Sequence, residues 1–190
     1  MNKIEVIDSI VSAWTGHQSF AMWLVETMKP DTIVELGVDY GYSTFCFAAP
    51  SIGTVYGIDW FNGDYQTGYR NTYSDVMSNI ERGGFNNIEI ITGRFEEVAK
   101  TWDKPIDILH IDGLHTYDNV RSDYETWTPF LRDGGIVLMH DTISFPDEVG
   151  KLYNNINLPK LNLKNSAGLG IVCTDTDLMD KIFKTFKHYL

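Results

Sequence analysis

Four apolar runs in this chain stop at an acid. Glu35 sits near the end of Thr32-Ile-Val-Glu-Leu-Gly, Asp59 closes Thr54-Val-Tyr-Gly-Ile-Asp, Asp112 closes Ile106-Asp-Ile-Leu-His-Ile-Asp, and His140-Asp141 follow Ile136-Val-Leu-Met. His115 comes three residues after Asp112. Carboxylates in such places can hold a divalent cation, accept from hydroxyls, or balance a positive ligand. An imidazole with an ordinary pKa of about 6.5 can take a proton from a hydroxyl. A single acid there has a plainer explanation, because Asp also caps helices. Four acids converging on one edge are better explained by a site.

The elements that would bring them together follow from hydrophobic periodicity. Ile4, Ile7, Ile10, Val11 and Trp14 have helical spacing over residues 3–15, and Phe20, Trp23, Leu24 and Met28 repeat it until Pro30. Strands are expected at 32–36, 54–59, 88–91, 106–112 and 136–141, with short ones at 161–163 and 168–173. Between them lie helical patterns: Tyr73 to Ile80 closed by Gly83-Gly84, Phe95 to Trp102, Tyr117 to Leu131 ending at Asp133-Gly134-Gly135, and a brief one near 147–154. A last amphipathic helix carries Leu178, Ile182, Phe183 and Phe186. Strands alternating with helices give an α/β fold, a mostly parallel sheet covered on both faces. Only about four residues separate the final two strands, too few for a crossover, so they should pair antiparallel. Ligands of such sheets bind beyond the carboxyl ends of the strands, where the four acids fall. His110, inside its strand, reads as a core histidine.

The turn after the first strand, Gly37-Val-Asp-Tyr-Gly41, lets backbone approach a nucleotide-like ligand. Nicotinamide enzymes use Gly-x-Gly-x-x-Gly, whose middle glycine admits a pyrophosphate. Here Asp39 holds that place. Its carboxylate would repel pyrophosphate but suits the sulfonium and amino group of S-adenosylmethionine. Asp59 suits a ribose, or caps the next segment. The aromatic stretch from Trp60 to Tyr73 could wall a ligand or pack as rim; Trp60 and Phe61, which follow Asp59 directly, are the expected wall.

Together, Glu-Leu-Gly-Val-Asp-Tyr-Gly-Tyr-Ser, Gly-Ile-Asp, Ile-Asp-Gly-Leu-His-Thr-Tyr and Gly-Gly-Ile-Val-Leu-Met-His-Asp-Thr resemble a class I S-adenosylmethionine-dependent O-methyltransferase. The pattern is similar to the catechol O-methyltransferase branch, and closer to the enzymes that methylate sugar hydroxyls of macrolide and aminocoumarin antibiotics. It covers roughly residues 30–174. The resemblance implies a Rossmann-like sandwich with a seven-stranded sheet and one antiparallel strand at its end. It implies that Gly37, Tyr42 and Ser43 line the methionine portion while Glu35 positions the turn. Asp59 would bind ribose with Trp60 and Phe61 beside it, Arg94 and Phe95 would border adenine, and Asp112 would touch the cofactor side. A divalent metal, Mg²⁺ by expectation, would lie at Asp112 and Asp141. Thr142 stands where the third ligand is often Asn or Asp, and a hydroxyl is a weaker ligand for a hard cation. His115 occupies the place of the catechol enzymes' catalytic lysine and is the expected general base; its structural alternative is capping the helix that starts at Thr116.

Composition bounds the partners. With 190 residues, 43% apolar and 22% charged, the chain reads as one globular domain: N-terminal helices over 1–30, an α/β core over 31–174 and a C-terminal helix over 175–190. Fifteen basic against 26 acidic residues leave −11, which repels phosphate backbones and anionic bilayers. The expectation is a small-molecule or saccharide hydroxyl acceptor, with neither nucleic acid nor membrane as partner. No run approaches the roughly 18 apolar residues of a membrane span, and the first residues lack a signal core, so a cytoplasmic location is expected. Cys46 and Cys173 read as buried free thiols. Exposed aromatics could serve the substrate or a homodimer. Two other classes fit less well: a nicotinamide oxidoreductase on the same scaffold, and a catalytically idle binding protein.

Overall fold

The computed structural model describes all residues 1–190. A seven-stranded sheet runs β3-β2-β1-β4-β5-β7-β6, built from β1 (Thr32–Leu36), β2 (Thr54–Asp59), β3 (Ile88–Thr92), β4 (Ile106–Ile111), β5 (Leu131–His140), β6 (Lys160–Leu163) and β7 (Leu169–Cys173). Strands β1 to β5 pair in parallel, while β7 pairs antiparallel with both β5 and β6 and so runs against the other six. One helical layer holds α1 (Lys3–Asp8), α2 (Gln18–Met28), α3 (Tyr42–Ala48), α4 (Tyr73–Gly83) and α8 (Thr176–Phe186) over the larger core. The other holds α5 (Phe95–Ala99), α6 (Tyr117–Trp127) and α7 (Val149–Asn155). No helix is long and apolar enough to cross a membrane. Both cysteines are buried and free.

The α/β expectation holds, and the departures have local causes. The first helix ends at Asp8 instead of continuing to residue 15. Ser12 Oγ accepts from the Trp14 amide at 3.1 Å and Thr15 Oγ1 donates to the Ser12 carbonyl at 2.6 Å, so side chains offer the backbone a competing pattern. Val11 is consequently exposed, while Trp14 is buried. Helix α6 stops at Trp127 because Pro129 follows, and Leu131 begins β5. The β4–β5 register then slips between Ile106↔Leu131 and Ile108↔Ile136, where Gly134 takes φ 75°. In α8, Met179 is buried and Phe183 points outward.

Register places the acids. Leu36 pairs with both Ile58 and Ile111, and Ile111 with Met139, so Gly37, Asp59, Asp112 and His140 all emerge at one edge. Glu35 and His110 are register partners one step back, and parallel neighbours project to the same face. Glu35 is fully buried in the larger core. Its carboxylate accepts from Ser43 Oγ, from Thr44 Oγ1 and, at 2.9 Å, from His110 Nδ1. Trp14 Nε1 donates to His110 Nε2 at 3.2 Å, which fixes the proton of that ring on Nδ1. One carboxylate thus ties β1, α3 and β4 together, with Trp14 closing the line.

Replacing Glu35 with Leu keeps the volume and leaves three buried donors without an acceptor, at about 1–3 kcal/mol each. Glu35→Leu should lose about 3 kcal/mol or more of unfolding free energy in urea titration; a loss below about 1 kcal/mol would show that the carboxylate does not hold this junction.

Candidate active site

The β1–α3 turn presses into the edge. Gly37 takes φ 97°, and a Cβ there would lie 2.1 Å from the Asp112 carbonyl oxygen, so only glycine fits. Gly41 takes φ 84° and its amide donates to the Val38 carbonyl at 2.7 Å. Asp59 holds this turn from the neighbouring strand: Oδ2 accepts from the Val38 and Asp39 amides at 2.8 and 3.0 Å, and Oδ1 from the Phe61 amide at 2.7 Å. Asp39 is left-handed at φ 47° and pairs with Arg70 through both carboxylate oxygens at 2.8 Å.

Beyond the turn lies a cavity of about 430 Å³, within the range of small-molecule sites. Gly37, Tyr42, Ser43, Asp59, Trp60, Phe61, Arg94, Phe95, Asp112, His115 and Asp141 all line it. The Arg94 guanidinium lies over the Trp60 ring at 4.9 Å. Glu35 is not among the lining residues; it lies buried behind the turn it ties. Thr142 is also outside, buried, with its hydroxyl donating to Asn162 Oδ1 at 3.0 Å. Sequence reasoning missed the segment Ile10 to Trp14, which leaves its helix and lines the cavity, and the pairing of Asp39 with Arg70. No local pattern marks either one.

Just beyond β4 and at the end of β5 two carboxylates meet two imidazoles. His115 Nε2 is 2.9 Å from Asp141 Oδ2 and 3.4 Å from Asp112 Oδ1; His140 Nδ1 is 2.9 Å from Asp141 Oδ2 and 3.5 Å from Asp112 Oδ1. Asp141 sits at φ 65°, an unusual backbone for a side-chain-bearing residue. The helix N-cap is Thr116, whose hydroxyl accepts from the Asn119 amide, so His115 is not spent on capping. Its ring stacks on Phe145 at 4.5 Å and 6°. Burial works against charge on both rings, but Asp112 and Asp141 outweigh it, lifting His115 to about 9 and His140 to about 10. Burial likewise opposes charge on Asp112 and Asp141, and the histidines overcome it, holding both below the usual carboxylate range. His17, which packs against His140, is pushed down to about 3 by burial and by His140.

A model of a methyltransferase domain matches residues 34–142, more than half of the chain, and the chain belongs to that family. It is 38% identical over 175 residues to an uncharacterized protein, y4gI, of Sinorhizobium fredii. That match takes in 85% of this chain and 19% of the relative, so the chain spans about a fifth of that protein's length. Among solved structures, the O-methyltransferase from Bacillus cereus in complex with SAH superposes with a TM-score of 0.67 at 19% identity, covering 90% of this chain and 88% of that one. The O-methyltransferase TomG from Streptomyces achromogenes, involved in tomaymycin synthesis and solved with SAM, gives 0.64 at 16% identity, over 87% and 82%. At these identities the likeness is one of fold, that of class I Rossmann-like methyltransferases.

One half-buried acid on α6, Asp123, has no hydrogen-bond or ion-pair partner. Asp123 Oδ2 lies 3.3 Å from where a side chain at Gly113 would begin, and burial, with Glu96 adding, pushes it up to about 7 from 3.8. Between those values the folded chain holds a proton that the unfolded chain has released, so stability falls as pH rises from about 4 to about 7. Asp123→Asn removes that cost. Its melting temperature should exceed the parent's at pH 8 and match it near pH 3.5; equal melting at both pH values would remove the burial effect.

Proposed function

We propose that the chain is an S-adenosylmethionine-dependent O-methyltransferase that acts on a hydroxyl of a small molecule, with a saccharide as the acceptor the sequence resemblance favours. The observation that carries this reading is that one cavity is lined both by the glycine turn that Asp59 clamps and by the Asp112–Asp141 pair. The donor supplies a methyl group from a positively charged sulfur. A cavity walled by Asp39, Asp59, Asp64, Asp112 and Asp141, in a chain of charge −11, attracts that cation.

On this reading Gly37, Tyr42 and Ser43 face the methionine end, and Trp60, Phe61, Arg94 and Phe95 enclose the adenine. Asp59 already accepts three backbone amides of the roughly four hydrogen bonds a carboxylate can take, which leaves a single position for a ribose hydroxyl. Asp112 and Asp141 would hold a divalent cation, which supplies polarisation of the attacked hydroxyl. Thr142 is given no part in it, since its hydroxyl is turned to Asn162. The cavity fixes the acceptor oxygen against the donor, and the released proton goes to water at its mouth.

A second reading makes His115 the general base, because it faces the cavity. With a pKa of about 9 it is protonated at neutral pH, so base catalysis would rise with pH until about 9. Rates measured in excess chelator separate the two: loss of turnover at every pH supports the cation, whereas a rate that climbs to pH 9 and is flattened by His115→Gln supports the base.

Transfer of labelled methyl to a panel of sugar and catechol acceptors tests the activity itself. Asp141→Asn should lower turnover on the order of 10²–10³-fold, with S-adenosylhomocysteine affinity changed less than about threefold, its bonds to the turn being intact. Asp59→Ala should instead weaken that affinity on the order of 10–100-fold, as loss of a charged hydrogen bond does. Full turnover in Asp141→Asn would remove the cation from the reaction.

A further inference from the structure

We infer that the cation site beyond the ends of β4 and β5 is a mixed imidazole–carboxylate centre, with His115 Nε2 and His140 Nδ1 as donors beside Asp112 and Asp141, and that it selects a divalent transition ion such as Mn²⁺, Co²⁺ or Zn²⁺ over Mg²⁺. The inference rests on the proposal that Asp112 and Asp141 hold a cation, and it replaces the expectation of Mg²⁺.

The four donor atoms form a closed ring of contacts. Around it the separations are 2.9 Å (His115–Asp141), 2.9 Å (Asp141–His140), 3.5 Å (His140–Asp112) and 3.4 Å (Asp112–His115). Donors bound at about 2.1 Å to one ion stand about 3.0 Å apart in octahedral arrangement and about 3.4 Å in tetrahedral arrangement. These four contacts span those two values. Asp112, His115 and Asp141 bring one ligand atom each within 4.8 Å of one another, and His140 joins that set of three through its contacts to the two carboxylates.

The outer nitrogens carry the stronger indication. A ligating histidine almost always donates its remaining N–H to an oxygen, which leaves the inner nitrogen's lone pair for the ion. His140 Nε2 is 2.9 Å from the Ser166 carbonyl oxygen, and His115 Nδ1 is 3.2 Å from Gln66 Oε1. That Gln66 oxygen also accepts from the His115 amide at 3.0 Å, which fixes its identity as oxygen. The Ser166 carbonyl belongs to a turn with three successive left-handed residues, Ser166, Ala167 and Gly168, at φ 44°, 71° and 91°. The turn is pinned by Gly16, whose amide donates to Ser166 Oγ at 2.8 Å and whose carbonyl accepts from Asn165 Nδ2 at 2.8 Å. An unusual backbone held from two sides thus presents one oxygen to His140, which shares it with His17 Nε2 at 3.2 Å.

Two carboxylates and two neutral imidazoles match the charge of a divalent ion. Mg²⁺ demands oxygen ligands and keeps its water, whereas imidazole suits Mn²⁺ through Zn²⁺ progressively better. The rival arrangement protonates both rings into a closed ion quartet that needs no metal.

The full chain, stripped with chelator and dialysed, should bind one Mn²⁺ per molecule, at least 100-fold more tightly than Mg²⁺ in calorimetry. Pulsed electron paramagnetic resonance of the Mn²⁺ form should show ¹⁴N coupling from directly bound imidazole, a readout that needs neither a variant nor turnover. His140→Ala and His115→Ala, checked for folding by melting temperature, should each weaken Co²⁺ binding more than tenfold and change its visible spectrum. Equal or tighter binding of Mg²⁺, Mn²⁺ bound without nitrogen coupling, or no binding of any of these ions would overturn the inference. Because the measurement reads coordination alone, it stands apart from the methyl-transfer screen: failed transfer with nitrogen-coupled Mn²⁺ condemns only the activity, and successful transfer with Mg²⁺ preferred condemns only this site.

Discussion

A carboxylate buried without water must be given donors, and Glu35 is given three. Everything at the site depends on how that demand is met. Ser43 and Thr44 lie in the first turn of α3, so satisfying Glu35 fixes where the helix starts and therefore the path of Gly37 to Gly41 before it. His110 lies on β4 two residues before Asp112, so the same bond sets the strand that leads to Asp112. Trp14 extends the line to the N-terminal segment that borders the cavity. The residue that organises the cavity does not itself touch it.

The cavity's electrostatics follow from where charge is neutralised and where it is not. Asp39 is paired with Arg70, and Asp112 and Asp141 with two histidines, while Asp59 is met only by backbone amides. The histidines have a dual character. Without a cation they hold the carboxylates as ions and take up protons themselves; beside one, on the proposal made above, they would serve as ligands. His115 reads as a general base in sequence, and in the fold two carboxylates raise its pKa to about 9.

Much of this was legible in the order of residues. The strand-end acids marked one edge because strand spacing and parallel connection leave little freedom, and the antiparallel ending followed from the short link between β6 and β7. His110 could be read as a core residue from its place within an apolar strand. What was not legible depends on contacts far apart in the chain. Helical periodicity over residues 3–15 is real, but Ser12 and Thr15 capture the backbone and release Ile10 to Trp14 toward the cavity. Thr142 follows Asp141 in sequence, where Asp141 has a left-handed backbone, and its hydroxyl donates to Asn162, 20 residues later. The orientation of His140 rests on a carbonyl 26 residues later. No spacing rule reaches that far.

The central claim is that the cavity beside the glycine turn is built for a sulfonium cofactor and not for a dinucleotide. Calorimetric titration of the purified chain with S-adenosylhomocysteine and, separately, with NAD tests it most directly. Saturable one-to-one binding of S-adenosylhomocysteine with no heat from NAD is expected, because the acids lining the cavity outnumber its two arginines and disfavour a pyrophosphate. Saturable binding of NAD, or no binding of S-adenosylhomocysteine at millimolar concentration, would contradict it.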